Sequence, residues 1–175
     1  KPMTPGAPAN DEAIGFLHDR VSLGWTDLER AVREALLKSA PGTQVIYVGD
    51  GMATAGTAPE ETDGPALVKR IERLLEQPLA GDKAPTARKL HTVMVGNVND
   101  LAVMRGMASV GGGSARAISG EQTGSVVARE LLNELARPGL SDLQVEFRGL
   151  KAASVYPEKI PNLPEGTQQI LVGRY

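Results

Sequence analysis

The feature that most constrains this sequence is a short apolar run that ends abruptly at an Asp-Gly pair. The run covers residues 45–48 and is followed by Gly49, Asp50 and Gly51. Because the run is rich in β-branched residues and is closed by a glycine turn, it predicts a buried strand of a parallel sheet. Ligand sites in open α/β sheets lie just beyond the carboxyl ends of such strands. We therefore expect the Asp50 carboxylate to face a crevice there.

Helical and strand patterns alternate along the chain through residue 138. A helical pattern begins at Thr26, where the hydroxyl is predicted to cap the helix and Glu29 to complete a capping box. Alternation of this kind predicts an α/β fold with a Rossmann-like, doubly wound and mostly parallel sheet. The expected helices cover 10–19, 26–40, 65–76, 100–108 and 121–136, and the expected strands cover 44–49, 90–96 and 115–118. The side chains expected on the inner helix faces are Leu28, Val32, Ala35, Leu36, Leu67, Ile71, Leu74, Leu75, Val127, Leu131, Leu132 and Leu135.

The pattern changes after residue 139. Apolar and polar residues alternate over 143–147, which is typical of a strand with one wet face in an antiparallel sheet. Further strands are expected at 151–156 and 168–172. The predicted organisation is a flexible lead over 1–9, an α/β domain over 10–139 and a small β segment over 140–175.

Composition excludes several classes of function. The formal net charge is −2, and no clustered basic surface of the kind that nucleic acids need is visible. The chain has no cysteine, so disulfides and thiolate metal sites are excluded. No stretch approaches the roughly 18 apolar residues of a membrane span.

Two residues are candidates for binding a metal ion. Thr26 at a helix start and Asp50 at a strand end would bring a hydroxyl and a carboxylate to one sheet edge, and hard oxygen ligands of this kind suit Mg2+. Thr26 is equally explained as a helix cap, and Asp50 as a turn residue. His91 is expected to be a hydrogen-bonded core residue and His18 a solvated one, so no catalytic residue is predicted.

Four blocks of the sequence, taken together, resemble a von Willebrand factor A domain. The resemblance is to the type found in inter-alpha-trypsin inhibitor heavy chains and their bacterial relatives, where the A domain follows a VIT domain. Segments of the tail resemble the β segment that follows the A domain in that family, so the resemblance covers about residues 11–175. The blocks are 24–31, 45–51, 90–96 and 108–117, and the tail segments are 143–147, 155–157, 160–163 and 173–175.

The resemblance implies a metal-ion-dependent adhesion site. Thr26 matches the family's threonine and Asp50 matches its aspartate. The family's Asp-x-Ser-x-Ser motif does not occur in the 175 residues. By position the motif belongs upstream of Lys1, together with the first three strands of the sheet. Mg2+, or Mn2+ or Ca2+, is therefore expected only if such an upstream segment exists, and this chain alone is expected to bind Mg2+ weakly or not at all.

The function that the resemblance implies is a protein–protein interaction or adhesion module, with metal-assisted ligand binding in the full-length parent. The expected partner is a protein that offers an acidic residue to the metal, on the extracellular side or in the cell envelope. A metal-independent interaction or structural module with a degenerate site is the alternative, and an α/β enzyme ranks last. Self-association through an exposed sheet edge is also expected.

Overall fold

The computed structural model of the protein describes most of the chain, and the structural statements below concern the described residues. These are residues 7–21, 24–40, 42–56, 62–77, 89–118, 120, 122–136, 139–140, 143–149, 154–157, 160, 163–165 and 168–174.

Helices and strands alternate through most of the described chain and give way to short strands near its end. The helices are α1 (Ala7–His18), α2 (Leu28–Leu37), α3 (Gly64–Glu76), α4 (Leu101–Val110) and α5 (Gly124–Ala136). The strands are β1 (Gln44–Gly49), β2 (Lys89–Met94), β3 (Gly112–Ala117), β4 (Gly139–Leu140), β5 (Ser154–Tyr156), β6 (Leu163–Pro164) and β7 (Val172–Arg174). The five helices and three main strands expected from the sequence are thus confirmed as elements, with ends that differ by a few residues.

The main sheet is parallel and has the strand order β1-β2-β3. Strand β1 pairs with β2 without interruption, from Gln44 opposite Lys89 to Gly49 opposite Met94. The pairing of β2 with β3 shifts register between Leu90 and Thr92. Helix α3 connects β1 to β2 and helix α4 connects β2 to β3, which is the βαβ arrangement that parallel strands require.

Helices cover both faces of this sheet. The larger core lies on the side of α2, α3 and α4, and the smaller core lies under α5. Successive side chains of β2 alternate between them because a strand has a period of two: Leu90 and Met94 enter the larger core and Val93 enters the smaller one. The buried residues of the larger core are Leu28, Val32, Leu36, Leu67, Ile71, Leu90, Met94, Val103, Met104 and Met107. The chain therefore has an α/β fold built around β2.

An aspartate caps each of the three helices on the larger side. Each carboxylate accepts a hydrogen bond from the backbone N–H three residues further on, which satisfies one of the free donors at a helix start. In this arrangement α2, α3 and α4 all begin near the carboxyl edge of the sheet. The caps and the residues that donate to them are Asp27 with Arg30, Asp63 with Ala66, and Asp100 with Val103.

The cap of α2 differs from the prediction. Asp27, not Thr26, accepts from Arg30 N at 3.0 Å, so the predicted capping box of Thr26 and Glu29 is wrong. The reason is that the backbone of Thr26 is hydrogen-bonded to a distant loop, which places the next residue at the cap. Glu29 instead pairs with Arg33 at 2.8 Å and with Arg70 of α3 at 2.6 Å.

Two predicted core residues lie outside the core. Ala35 is exposed, because Leu28, Val32 and Leu36 already form the complete inward stripe of α2. Leu132 of α5 has 62% of its surface exposed. The other predicted stripe residues are buried or partly buried.

The short strands near the end of the chain form two separate two-stranded antiparallel sheets, β4 with β6 and β5 with β7. Residues 143–147 form no strand, so that prediction is wrong. Alternation describes a surface, whereas a strand also needs a neighbouring edge to pair with. The predicted strand over 151–156 is present as β5, and its residues 151–153 lie outside the described residues. Residues 168–171 are not in a strand; β7 starts only at Val172.

Two other boundaries also shift. Helix α1 starts at Ala7, inside the segment predicted as the lead. Strand β3 begins at Gly112, three residues before the strand expected over 115–118. None of the helices in the described ranges is long and apolar enough to cross a membrane.

Burial predicts that truncating either of two adjacent leucines of α2 has very different effects on the free energy of unfolding. Leu36 is 2% exposed and Leu37 is 52% exposed. We expect Leu36→Ala to lower the free energy of unfolding by about 2–5 kcal/mol, because it removes a packed side chain. Leu37→Ala should change it by less than about 0.5 kcal/mol. Urea denaturation followed by circular dichroism measures both, and equal losses would contradict this assignment of the inner face.

Candidate functional site

Three loops meet at the carboxyl edge of the main sheet, and together we call them the rim. They are residues 24–27 before α2, residues 50–56 after β1 and residues 95–100 after β2. Both residues predicted to hold a metal, Thr26 and Asp50, lie in the rim. This edge is where ligand sites of α/β sheets form.

Thr26 is tied to the loop that follows β1. Its backbone N–H donates to Thr54 Oγ1 at 2.8 Å. Its carbonyl oxygen accepts from Thr54 N at 3.0 Å and from Ala55 N at 3.1 Å. Three hydrogen bonds therefore fix the first loop against the second.

Asp50 joins the second loop to the third. Its Oδ1 accepts from the backbone N–H of Met52 at 3.0 Å, and its carbonyl oxygen accepts from Asp100 N at 2.8 Å. The residue is half-buried. One carboxylate oxygen of Asp50 is thus engaged in shaping its own turn, as the turn interpretation of the sequence expected.

Gly51 makes the tight approach of this turn to α4 possible. Its φ is +77°, in the left-handed region that favours glycine, and a Cβ atom built there would lie 2.6 Å from Met104 Cγ. The residue is buried. The Asp-Gly pair in the sequence thus corresponds to a carboxylate held at the rim and a backbone packed on the core.

The sequence did not indicate Tyr47 as part of the site. This half-buried side chain packs against the larger core, and its hydroxyl feels the backbone of Gly51 and the charge of Asp50. Burial raises the pKa of Tyr47, the Gly51 backbone lowers it and the Asp50 charge raises it, so the net pKa lies above the ordinary value for tyrosine. The phenol is therefore neutral at physiological pH. The only signal in the sequence is its place two residues before the end of the strand.

Thr26 and Asp50 do not form a complete ion site by themselves. Together they offer one hydroxyl and one carboxylate, whereas Mg2+ demands near-octahedral oxygen coordination. Within the part of the chain that the structure describes, no group of three or more His, Cys, Asp or Glu side chains is placed to hold a metal ion. The residues present therefore do not fit the ion that the resemblance implies unless further ligands join them.

Large apolar side chains are exposed to solvent in the rim or next to it. Trp25 is 79% exposed, Val98 is 70% exposed, and Leu101, the first residue of α4, is 42% exposed. Exposed large apolar groups mark interaction sites when they lie together. Trp25 directly precedes Thr26, whose backbone is hydrogen-bonded to Thr54 and Ala55.

A cleft of about 360 Å³ lies beside the rim along the first half of α2. Its charged side chains include Glu29 and Arg33, which pair with each other. The cleft therefore presents a mostly satisfied polar surface. Its lining residues are Asp27, Leu28, Glu29, Arg30, Arg33, Glu34 and Ala55.

A second polar group lies away from the rim, beneath α5. His91 of β2 is 5% exposed, and the backbone N–H of Ser114 donates to its Nδ1 at 3.0 Å. Since Nδ1 accepts this bond, the proton of the neutral ring lies on Nε2, which is buried without a partner among the described residues. His91 is thus the hydrogen-bonded core histidine that the sequence predicted, and its Nδ1 is not free to act as a base.

Ion pairs connect the neighbouring strand β3 to α5. Arg116 of β3 donates to Glu130 at 2.7 Å and to Glu134 at 2.6 Å. Burial raises the pKa of Glu134, but hydrogen bonds from Arg116 and Ser114 and the Arg116 charge lower it more, so the net pKa lies below 4.5. These contacts hold α5 to the sheet.

The chain matches no family model, no curated protein and no solved structure.

The buried histidine predicts acid sensitivity. Burial lowers the pKa of His91, the Glu134 charge raises it and the Lys89 charge lowers it, with a net value below 6.5. Because the unfolded chain then binds a proton more readily than the folded one, the free energy of unfolding should fall as the pH drops below 6.5. The depressed pKa of Glu134 extends the loss to lower pH.

Urea denaturation at a series of pH values measures this dependence. We expect His91→Gln to flatten the decline that begins below pH 6.5, with His18→Gln as the control because His18 is exposed. An unchanged decline in His91→Gln would show that burial of His91 does not cause it.

Proposed function

We propose that this chain is a protein-interaction module that binds its partner at the rim. The observation that carries the proposal is a tryptophan exposed over 79% of its surface on a hydrogen-bonded loop. Tryptophan buries a large apolar area when a partner covers it, and it is strongly enriched among the residues that dominate binding energy.

The rigidity of the rim supports the proposal. Thr26 is bonded to Thr54 and Ala55, and Asp50 is bonded to Asp100, so the three loops hold one another. A surface that is already ordered loses little conformational entropy on binding. Trp25 and Val98 are therefore presented on loops that need little rearrangement.

The proposal extends to the finer fold. We infer a Rossmann-like doubly wound arrangement of the von Willebrand factor A type, with the sheet continuing beyond β1 in a longer parent. What supports it is the parallel order β1-β2-β3, the helices on both faces and the blocks of similar sequence. In such a parent, acting outside the cell or in its envelope, a divalent ion near Thr26 and Asp50 would assist binding of an acidic partner residue.

For this chain by itself the metal-independent form of the module is favoured. Only two oxygen ligands are offered by the predicted pair, and Oδ1 of Asp50 already accepts from Met52. No catalytic role is part of the proposal, because the buried histidine is engaged through Nδ1 with Ser114.

Selection from a random peptide library displayed on phage tests the docking face. We expect enriched clones to bind Trp25→Ala at least about thirtyfold more weakly than the wild type, as for a binding hot spot of about 2 kcal/mol. Because Trp25 is the only tryptophan, its fluorescence emission should shift to shorter wavelength when a synthetic peptide from such a clone is added.

Leu132→Ala is the matched control, since Leu132 is also exposed and apolar but lies on α5. Clones that bind Trp25→Ala as tightly as the wild type, and leave the tryptophan emission unchanged, would refute the rim as the docking face.

Calorimetric titration with Mg2+ tests the metal. We expect weak or undetectable binding by this chain, because two protein oxygens cannot replace enough of the hydration shell of the ion. A tight site that is lost in Asp50→Ala but kept in Asp63→Ala would contradict the expectation. It would place a functional ion site in this chain at the strand end.

A further inference from the structure

Strand β1 is an edge of the main sheet. It pairs with β2 on one side, and none of the other described strands pairs with its outer side. Such an edge presents a row of backbone donors and acceptors to which another strand can add.

Two hydrogen bonds at the ends of the β1–β2 pairing show which residues of β1 direct their backbone groups away from β2. The carbonyl of Thr43 accepts from Lys89 N at 3.3 Å, and the carbonyl of Gly49 accepts from Val95 N at 3.1 Å. In a parallel pair, alternate residues direct their backbone groups to the same neighbour. The odd-numbered residues of β1 therefore bond to β2, and Gln44, Ile46 and Val48 direct their N–H and C=O groups outward.

The outer edge of β1 lacks the features that usually protect edge strands. Its six residues include no charged residue and no proline, and its pairing with β2 has no bulge. In natural proteins, edge strands are normally protected from pairing with another chain by lysine, proline, bulges or very short length. By these criteria, the described part of the chain leaves this edge open to strand addition.

The side chains of the outward residues extend the open surface onto the α5 face of the sheet. Ile46 is 39% exposed and Val48 is 59% exposed. Gln44 on the same face reaches the last turn of α5, with Nε2 donating to Leu135 O at 3.2 Å. The helix thus runs beside these residues without covering them.

Helix α5 contributes an apolar side chain to this surface. Arg116 of β3 contacts Glu130 and Glu134, which fixes that flank of the helix toward β3. At about 100° per residue, Leu132 then lies on the opposite flank, toward β1. Its 62% exposure agrees with an uncovered position there.

We propose that β1 is the seam of a two-fold dimer of this chain. The β1 strands of two copies pair antiparallel, with Ile46 opposite Ile46 of the partner subunit and Gln44 opposite Val48 of the partner subunit. The result is one continuous sheet with the order β3-β2-β1-β1-β2-β3. The rim lies at the ends of the strands and not along this edge, so the dimer does not depend on partner binding at the rim. The seam takes the place of the strand that a longer parent would pair with β1, so the two arrangements exclude each other at this edge.

The outward backbone donors and acceptors of β1 are complementary to those of a second, antiparallel copy of β1. The three outward residues are symmetric about Ile46, so antiparallel pairing matches every outward donor with an acceptor and forms about six hydrogen bonds. Because β1 is uncharged, two copies meet without like charges on the paired strands. The exposed Ile46 and Val48 of both copies come together on one face.

A cysteine placed on the proposed axis tests the register. The chain has no cysteine of its own, so Ile46→Cys introduces a single thiol. Directly opposed residues of this hydrogen-bonded kind have Cα atoms about 5.5 Å apart. Their Cβ atoms are farther apart than the roughly 3.5–4.5 Å of a disulfide, so a short bismaleimide is the suitable cross-linker. We expect it to link Ile46→Cys into a covalent dimer.

Val48→Cys is the matched control. In the proposed register it opposes Gln44 of the partner subunit, and the two introduced thiols lie about four residues, or about 13 Å, apart along the strands. It should remain uncrosslinked. Equal cross-linking of the two variants would overturn the register.

Analytical ultracentrifugation and hydrogen exchange test the dimer in the unmodified chain. The dimer fraction should rise with concentration and fall at least tenfold in Ile46→Lys, which brings two charges together on the axis. Val126→Lys, with 40% exposure on α5, should leave it unchanged. The amides of Ile46 and Val48 should gain protection with concentration, while that of Tyr47 is protected throughout. A monomer at all concentrations, or a monomer in which Ile46 is already protected, would refute the proposal.

Discussion

The rest of the structure depends on the burial of β2 between two layers of helices. Leu90 and Met94 reach one core and Val93 reaches the other, and all three are nearly inaccessible to water. The parallel ladder on each side of β2 then sets where β1 and β3 end. Because those ends define the carboxyl edge, the placement of every loop in the rim follows from the packing of this one strand.

Local patterns were enough to predict the elements of the α/β part, and for a physical reason. The stripes of α2 and α3 and the apolar run of β1 each encode burial in residues close in sequence. The same logic failed where burial depends on distant partners. Leu132 has the right spacing for the inner face of α5, yet the sheet beneath it ends at β1. Residues 143–147 alternate correctly, but they pair with no strand among the described residues.

The candidate site was predictable only in part. The strand followed by Asp-Gly placed Asp50 at the carboxyl edge. The contacts that order the rim were not visible in the sequence, because Thr26 bonds to Thr54, 28 residues away, and Asp50 bonds to Asp100. Such pairs form because the folded chain brings distant residues together, and the spacing of residues in the sequence does not reveal them. The same long-range bond to Thr54 displaced the helix cap from Thr26 to Asp27.

The three aspartate caps have an electrostatic consequence. Helices whose amino ends converge ordinarily produce a positive potential that attracts phosphate and other anions. Here Asp27, Asp63 and Asp100 each place a negative charge on one of those ends. The positive ends of the dipoles are thus compensated from within the chain. Selection of a ligand at this edge falls to shape and apolar contact, with little attraction for an anion arriving from solution.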